Sequence, residues 1–175
     1  MAQSQVSEVP EEEEREVSFP STVYPLKAGA IGGALGGAVM ALVAIGYGLI
    51  SGRGIFLPVN VIASTFLLDL RTLNDEQLAQ FNLAALIVGT LMHAVLSVGL
   101  GTLFALLLPT MPGHPVIWAL TIGPLLWVIA TVITLPLINP FAAQRIEPVS
   151  FVVAHLAYGL VMGMWVAHTP KVPAE

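Results

Sequence analysis

The sequence predicts an all-α, polytopic membrane protein with four transmembrane helices and an interfacial segment in its first long loop. Three observations carry this. Of 175 residues, 56% are hydrophobic and only 10% charged, where a soluble domain carries roughly 25% charged residues. The apolar residues gather into four runs, at about 28–50, 82–108, 115–137 and 149–167, each long enough for the ~20 residues that cross a bilayer. None of the runs alternates as a strand would, so helices must satisfy their backbone in hydrocarbon.

The charges sit at the edges of this pattern. Glu8, Glu11 to Glu14 and Glu16 crowd the N-terminus, and Asp69, Asp75 and Glu76 share the first long loop. Residues 1–22 lack apolar periodicity and carry a run of like charge, which reads as a disordered or partner-ordered tail. The net charge of −5 belongs mostly to that tail, and nothing in it suggests a nucleic-acid partner. An acidic N-terminus is unlike a secretory signal, so the first span is expected to act as the insertion signal. With no cysteine in the chain, disulfides, thiolate chemistry and Cys-held metal or iron–sulfur sites are excluded. The transmembrane domain is expected to cover residues 23–168, with 169–175 a short tail.

Between the first and second runs, "GIFLPVNVIASTFLLDL" (54–70) is apolar but too short to span, which predicts an interfacial or re-entrant segment. Asn74 followed by Gln77 forms a capping-box pattern, and Asp75 and Glu76 suit a helix N-terminus. The second helix is therefore expected to start near Asp75 and run to Leu108, about 50 Å at 1.5 Å per residue. The short "PTMPGHP" connection predicts a tight antiparallel hairpin of the second and third spans. Pro124 and Pro136 in the third span read as kinks. Four spans place both termini on one side, with Tyr24, Trp118 and Trp165 in an aromatic belt there. Arg15, Lys27 and Lys171 flank that side and Arg53, Arg71 and Arg145 the other, a tie under the positive-inside rule.

A weak internal repeat is visible. Pro25, Gly33 and Leu35 match Pro115, Gly123 and Leu125 at an offset of 90. Aligned on their histidines, the second and fourth spans match Ser97 with Gly159 and Gly101 with Gly163, at an offset of 62. A duplicated two-helix hairpin is one reading, and such parallel repeats are related by an axis along the membrane normal.

Every fourth residue is small along three spans: Gly29, Gly33 and Gly37; Ala85, Gly89, Ser97 and Gly101; Gly159 and Gly163. Residues four apart share a helix face, and small ones let backbones approach. Partners are expected to meet the first of these stripes and the long second helix. His93 and His155 lie on stripes, so both are expected to face the bundle interior at similar depth. Three readings compete for them: packing residues hydrogen-bonded to neighbours, axial ligands of a b-type haem, or one imidazole in a proton or quinone path. The favoured reading needs no cofactor.

"AHLAYGLVMG" and "GYGLISGRGIFLPVN" resemble pieces of uncharacterised small bacterial four-helix integral membrane proteins. The resemblance implies a place in the bacterial cytoplasmic membrane and carries over no functional residue. No phosphate loop, positioned nucleophile or intramembrane carboxylate is present. The expected role is a non-catalytic accessory subunit of a larger membrane complex, most naturally a respiratory or photosynthetic electron-transfer assembly, contacting other membrane subunits and lipids. The alternatives are a haem b- or quinone-binding redox protein using His93 and His155, and a small-solute carrier or channel.

Overall fold

The computed structural model describes residues 20–174; the acidic run Glu11 to Glu14 lies outside them. A two-residue strand β1 (Thr22–Val23) leads into α1 (Leu26–Ile50). Ser51 ends that helix with its hydroxyl on the Tyr47 carbonyl, 2.7 Å. Gly52 and Gly54, at φ +72° and +93°, then turn the chain back in a conformation that favours glycine. Loop one holds α2 (Leu57–Ala63), a 3₁₀ turn (Leu68–Thr72) and the one-turn α3 (Asp75–Leu78). The spans α4 (Leu83–Leu107), α5 (Pro115–Ile129) and α6 (Leu135–Ile138) follow, then α7 (Pro140–Ala143), α8 (Pro148–His168) and β2 (Val172–Pro173). Four helical stretches are long and apolar enough to cross a membrane: Leu26–Ile50, Leu83–Thr110, Pro115–Ile138 and Pro148–His168.

The expected capping box is present: Asn74 Oδ1 accepts from the Gln77 amide (2.9 Å) while Gln77 Oε1 accepts from the Asn74 amide (3.0 Å). The helix it starts does not continue into the second span, which corrects the 50 Å helix. The chain breaks after Leu78 because Asn60 Nδ2 claims the Leu78 and Gln80 carbonyls, at 2.7 and 2.9 Å. Phe81 turns edge-on to Phe56. A second N-cap, Asn82, accepts from the Ala85 amide at 3.0 Å and starts α4. The 25 residues of α4 rise about 38 Å, close to one bilayer crossing.

In the third span α5 passes through Pro124 and continues as a π-helical turn, Ala130–Thr134, into α6. Pro136 has no N–H for the regular ladder, and a wider turn just before it accommodates the loss.

Packing runs α4–α1–α8–α5. This corrects the tight hairpin of the second and third spans: their short connection joins them at one end, but α1 and α8 form the central pair and α4 and α5 flank it. Among the most apolar 18 residues of each span, 33% are buried in α1 and α8, 17% in the second span and 11% in the third. The reason lies in adjacent small residues on α1. Gly29 and Gly33 face Gly101 and Ser97 of α4, while Gly32 and Gly36 face Met162 and Tyr158 of α8. Successive residues point about 100° apart, so one helix presents two flat faces to two neighbours. The first-span stripe therefore closes the bundle from within; it is not a surface for partners.

The two ends of the molecule differ. At one, β1 pairs antiparallel with β2, Lys171 lies over the Tyr24 ring, and Trp118 Nε1 donates to the Pro112 carbonyl at 2.7 Å. At the other, loop one wedges between α4 and the end of the third span, and Leu57, Val61, Ala63, Leu70, Leu78, Ala85 and Ala142 form a second core there.

Candidate functional site

Two polar layers cross the bundle. The first is built on α1 at Gly36 and Gly37. His93 Nε2 lies 2.9 Å from the Gly37 carbonyl; a carbonyl only accepts, so the imidazole carries its proton on Nε2. One turn on, the Ser97 carbonyl accepts from the Tyr158 hydroxyl at 2.7 Å, and Tyr158 in turn packs on Gly36. His155 lies one turn before Tyr158 and is buried. Its Nδ1 sits 2.8 Å from the carbonyl of Phe151, four residues back on its own helix, with the Phe151 ring edge-on at 4.4 Å. The two histidines thus occupy neighbouring levels, one tied across helices and one tied to its own.

This arrangement gives no support to a haem held between them. Each imidazole gives one ring nitrogen to a backbone carbonyl and keeps the other, but the cavity that His93 lines does not have His155 among its lining residues. Among the described residues, no three His, Cys, Asp or Glu side chains gather to hold a metal ion.

The small residues distribute as follows. Gly29 and Gly33 pack on Gly101 and Ser97, and Gly37 lies against the Ser97 side chain and His93. Gly159 and Gly163 pack on Ala119 of α5. Gly89 serves loop one instead: a methyl there would come within 2.6 Å of the Val59 carbonyl oxygen. The pairings also revise the internal repeat. Gly33 faces Ser97 and Gly101, while Gly123 faces His155 and Gly159. Gly29 faces Gly101 and Ala105, while Ala119 faces Gly159 and Gly163. The first members differ by 90 in number and the second by 58, so the structural equivalence is one helical turn from the histidine-on-histidine alignment. His155 stands where Ser97 stands, and His93 has its counterpart in Phe151.

The second layer closes the loop end. Asn139 is fully buried. It donates to Ser64 Oγ (2.8 Å) and Thr65 Oγ1 (3.2 Å) and accepts from the Ala142 amide (3.1 Å). Arg71 Nε holds the Ser64 carbonyl at 2.8 Å. Outside these, Asp75 bridges Arg53 and Arg145 at 3.2 and 3.0 Å. Glu147 caps α8 through the amides of Val149 and Ser150. Those two N–H donors, Ser150 foremost, hold its carboxyl below the usual carboxylate range.

Beneath this rim lies a cavity of about 290 Å³, walled by α1, α4, the start of α8 and the loop containing α2. Its lining is apolar apart from the rim charges and a few neutral groups, Tyr47, Thr90, His93 and Ser150 among them. The sequence reading missed this cavity, the Asn60 and Asn139 anchors and the Gly32–Gly36 face. The signals were present: doubled glycines in "GAIGGALGG", and single asparagines in otherwise apolar surroundings.

The fold and these layers define a four-helix, multi-pass membrane protein. No protein-family model, curated protein or solved structure matches the chain.

Proposed function

We propose that this protein is a non-catalytic accessory subunit of a larger membrane complex, an electron-transfer assembly in the bacterial cytoplasmic membrane, with both termini on one side. The observation that supports it most is the outward face of the third span. Leu125, Val128, Ile129, Val132 and Ile133 recur at helical spacing and are all exposed, and among the described residues α8 is the span against which α5 chiefly packs. A rigid apolar stripe of branched side chains suits packing against a neighbouring subunit or ordered lipid. The polar side chains described above mostly hold the chain's own helices and loops together, which suits a structural part better than a catalyst. The β1–β2 pairing favours termini on one side.

The test is purification from its native membrane in mild detergent. Co-migrating chains that are lost on replacing Val132 and Ile133 with Trp support the reading. A stable monomer with no companions overturns it.

A further inference from the structure

We infer that the cavity beneath loop one is a binding site for a neutral amphiphile with an oxygenated six-membered ring, a quinone or quinol head with its apolar tail. The inference goes beyond the subunit role and stands on different residues.

Three neutral groups lining the cavity have hydrogen-bonding capacity that no described residue uses. His93 donates through Nε2 to Gly37, which leaves Nδ1 as an acceptor. Thr90, one turn earlier on the same face of α4, is set apart from the threonines at 102, 121 and 131. Those three bond to the carbonyl four residues back, at 2.8, 2.9 and 2.7 Å; the Thr90 hydroxyl has no partner among the described residues. The Tyr47 hydroxyl, on α1, has none either. Thr90 is exposed and Tyr47 and His93 are half-buried, all three on the cavity wall. Their free valences are therefore open to whatever fills the cavity, and in hydrocarbon an unpaired polar group is costly.

The chemistry of that partner follows from the walls. The two hydroxyls can donate to the carbonyls of a quinone, and the acceptor nitrogen can take the hydroxyl proton of a quinol, so either redox form finds partners here. The rim cations are already neutralised: Arg53 and Arg145 share Asp75, and Glu147 adds a second carboxylate. A phosphate or carboxylate head would find no unmatched cation there, so the head is neutral. Phe56 and Phe151 stand among the lining residues, and aromatic walls favour a flat ring over a single acyl chain. At about 290 Å³ the cavity is at the lower end for small-molecule sites, enough for a head group whose tail leaves toward lipid.

The experiment is isothermal titration of the full-length protein in detergent micelles with a decyl-substituted 1,4-benzoquinone. Octadecanol and phosphatidylglycerol serve as competitors. Saturable quinone binding is expected, about tenfold weaker in Thr90→Val, the cost of one hydrogen bond, and abolished by Ala44→Trp, which fills the cavity. Thr90→Val removes no hydrogen bond among the described residues and keeps the side chain's shape, so it decides the matter even if Ala44→Trp or His93→Leu does not fold. Absence of saturable binding, or binding indifferent to Thr90→Val, overturns the site. Equal competition by octadecanol overturns the ring assignment, and salt-sensitive displacement by phosphatidylglycerol overturns the neutral head.

Discussion

The α1–α4 pair and the α5–α8 pair solve the same packing problem with different side chains. In both, a small residue on the first helix sits against a backbone carbonyl of the second, and one turn on the roles reverse, with Gly101 against the Gly29 carbonyl and Gly159 against that of Ala119. In α1–α4 the carbonyl belongs to Ser97, in α5–α8 to His155; a methyl on Gly123 would come within 2.7 Å of the His155 oxygen. The difference is what the second helix shows to its remaining neighbours. Ser97 is small enough for α4 to lie flush on Gly33 and Gly37 of α1, so His93, one turn earlier, reaches across to Gly37. His155 occupies the flush position itself, and its ring bonds back along α8. Backbone approach thus follows a shared rule, while the imidazoles serve two separate local needs.

The largest effect comes from breaking that rule. Gly101→Ala would place a methyl 2.6 Å from Gly33 Cα and 2.8 Å from Gly33 N, contacts with backbone that cannot swing away. Gly159→Ala would meet the Ala119 backbone in the same way. Each should cost about 1–3 kcal/mol, the range for overpacking, read as loss of stability in denaturing detergent titrations. If Gly101→Ala is disruptive and Gly159→Ala neutral, the two pairs are not equivalent.

Asn139→Ala tests the loop end against the glycine-packed middle. It removes two donated bonds and a helix cap and leaves Ser64 Oγ without that donor. A loss of about 1–3 kcal/mol is expected, accompanied by protease sensitivity confined to loop one. Protection of loop one equal to that of the wild type would show that the wedge holds without this anchor.

The histidines sharpen the comparison directly. His93→Leu removes a bond between helices and should cost about 0.6–2 kcal/mol by the range for interhelical hydrogen bonds in membranes. His155→Leu frees only the Phe151 carbonyl of its own helix, so it should cost clearly less. Equal losses in the two variants would contradict the split between a cross-helix and a within-helix imidazole.

A smaller effect separates the cap of α8 from the rest. The Glu147 carboxyl is held below the usual carboxylate range by the Ser150 and Val149 amides, with Arg53 adding to the shift. A group depressed in the folded state contributes its full stabilisation above its unfolded value, and the contribution is lost as pH falls through the folded one. Acid should therefore fray the start of α8, and Glu147→Gln should flatten that part of the pH profile of thermal unfolding. An unchanged acid limb would remove the cap from the account.

Much of this was legible in the sequence, and the reason is the membrane. Hydrocarbon forces every span to be a helix of a minimum length, so composition alone yields four helices close to their observed limits. Local caps were legible too: Asn74 with Gln77 form the box that their spacing announces. What failed was the reach of local signals. The local signal for the break before α4 is only Asn82, the N-cap that restarts the helix, while its cause, Asn60, lies eighteen residues before Leu78. The neighbour order α4–α1–α8–α5 was misread because the length of a connection says which ends meet, not which faces pack. The alignment of the repeat on its histidines failed because rare residues attract the eye, while the geometry is set by the carbonyl under the small residue.

The least effect, and the one of opposite sign, belongs to a glycine two residues from the most sensitive one. Gly99 and Gly101 lie on the same helix in "SVGLG", and periodicity puts them about 200° apart around it. Gly101 is pressed against α1, but a methyl on Gly99 would meet nothing within 4 Å. Gly99→Ala therefore introduces no clash, while it removes the conformational freedom that a mid-helix glycine gives the unfolded chain. A gain of about 0.5 kcal/mol is expected, with Gly46→Ala, also in open space, behaving alike. The measurement is the same detergent titration used for Gly101→Ala. A clear loss at Gly99 would mean that this outer face of α4 is itself covered in the membrane, which would shift the proposed partner surface from the third span to the second.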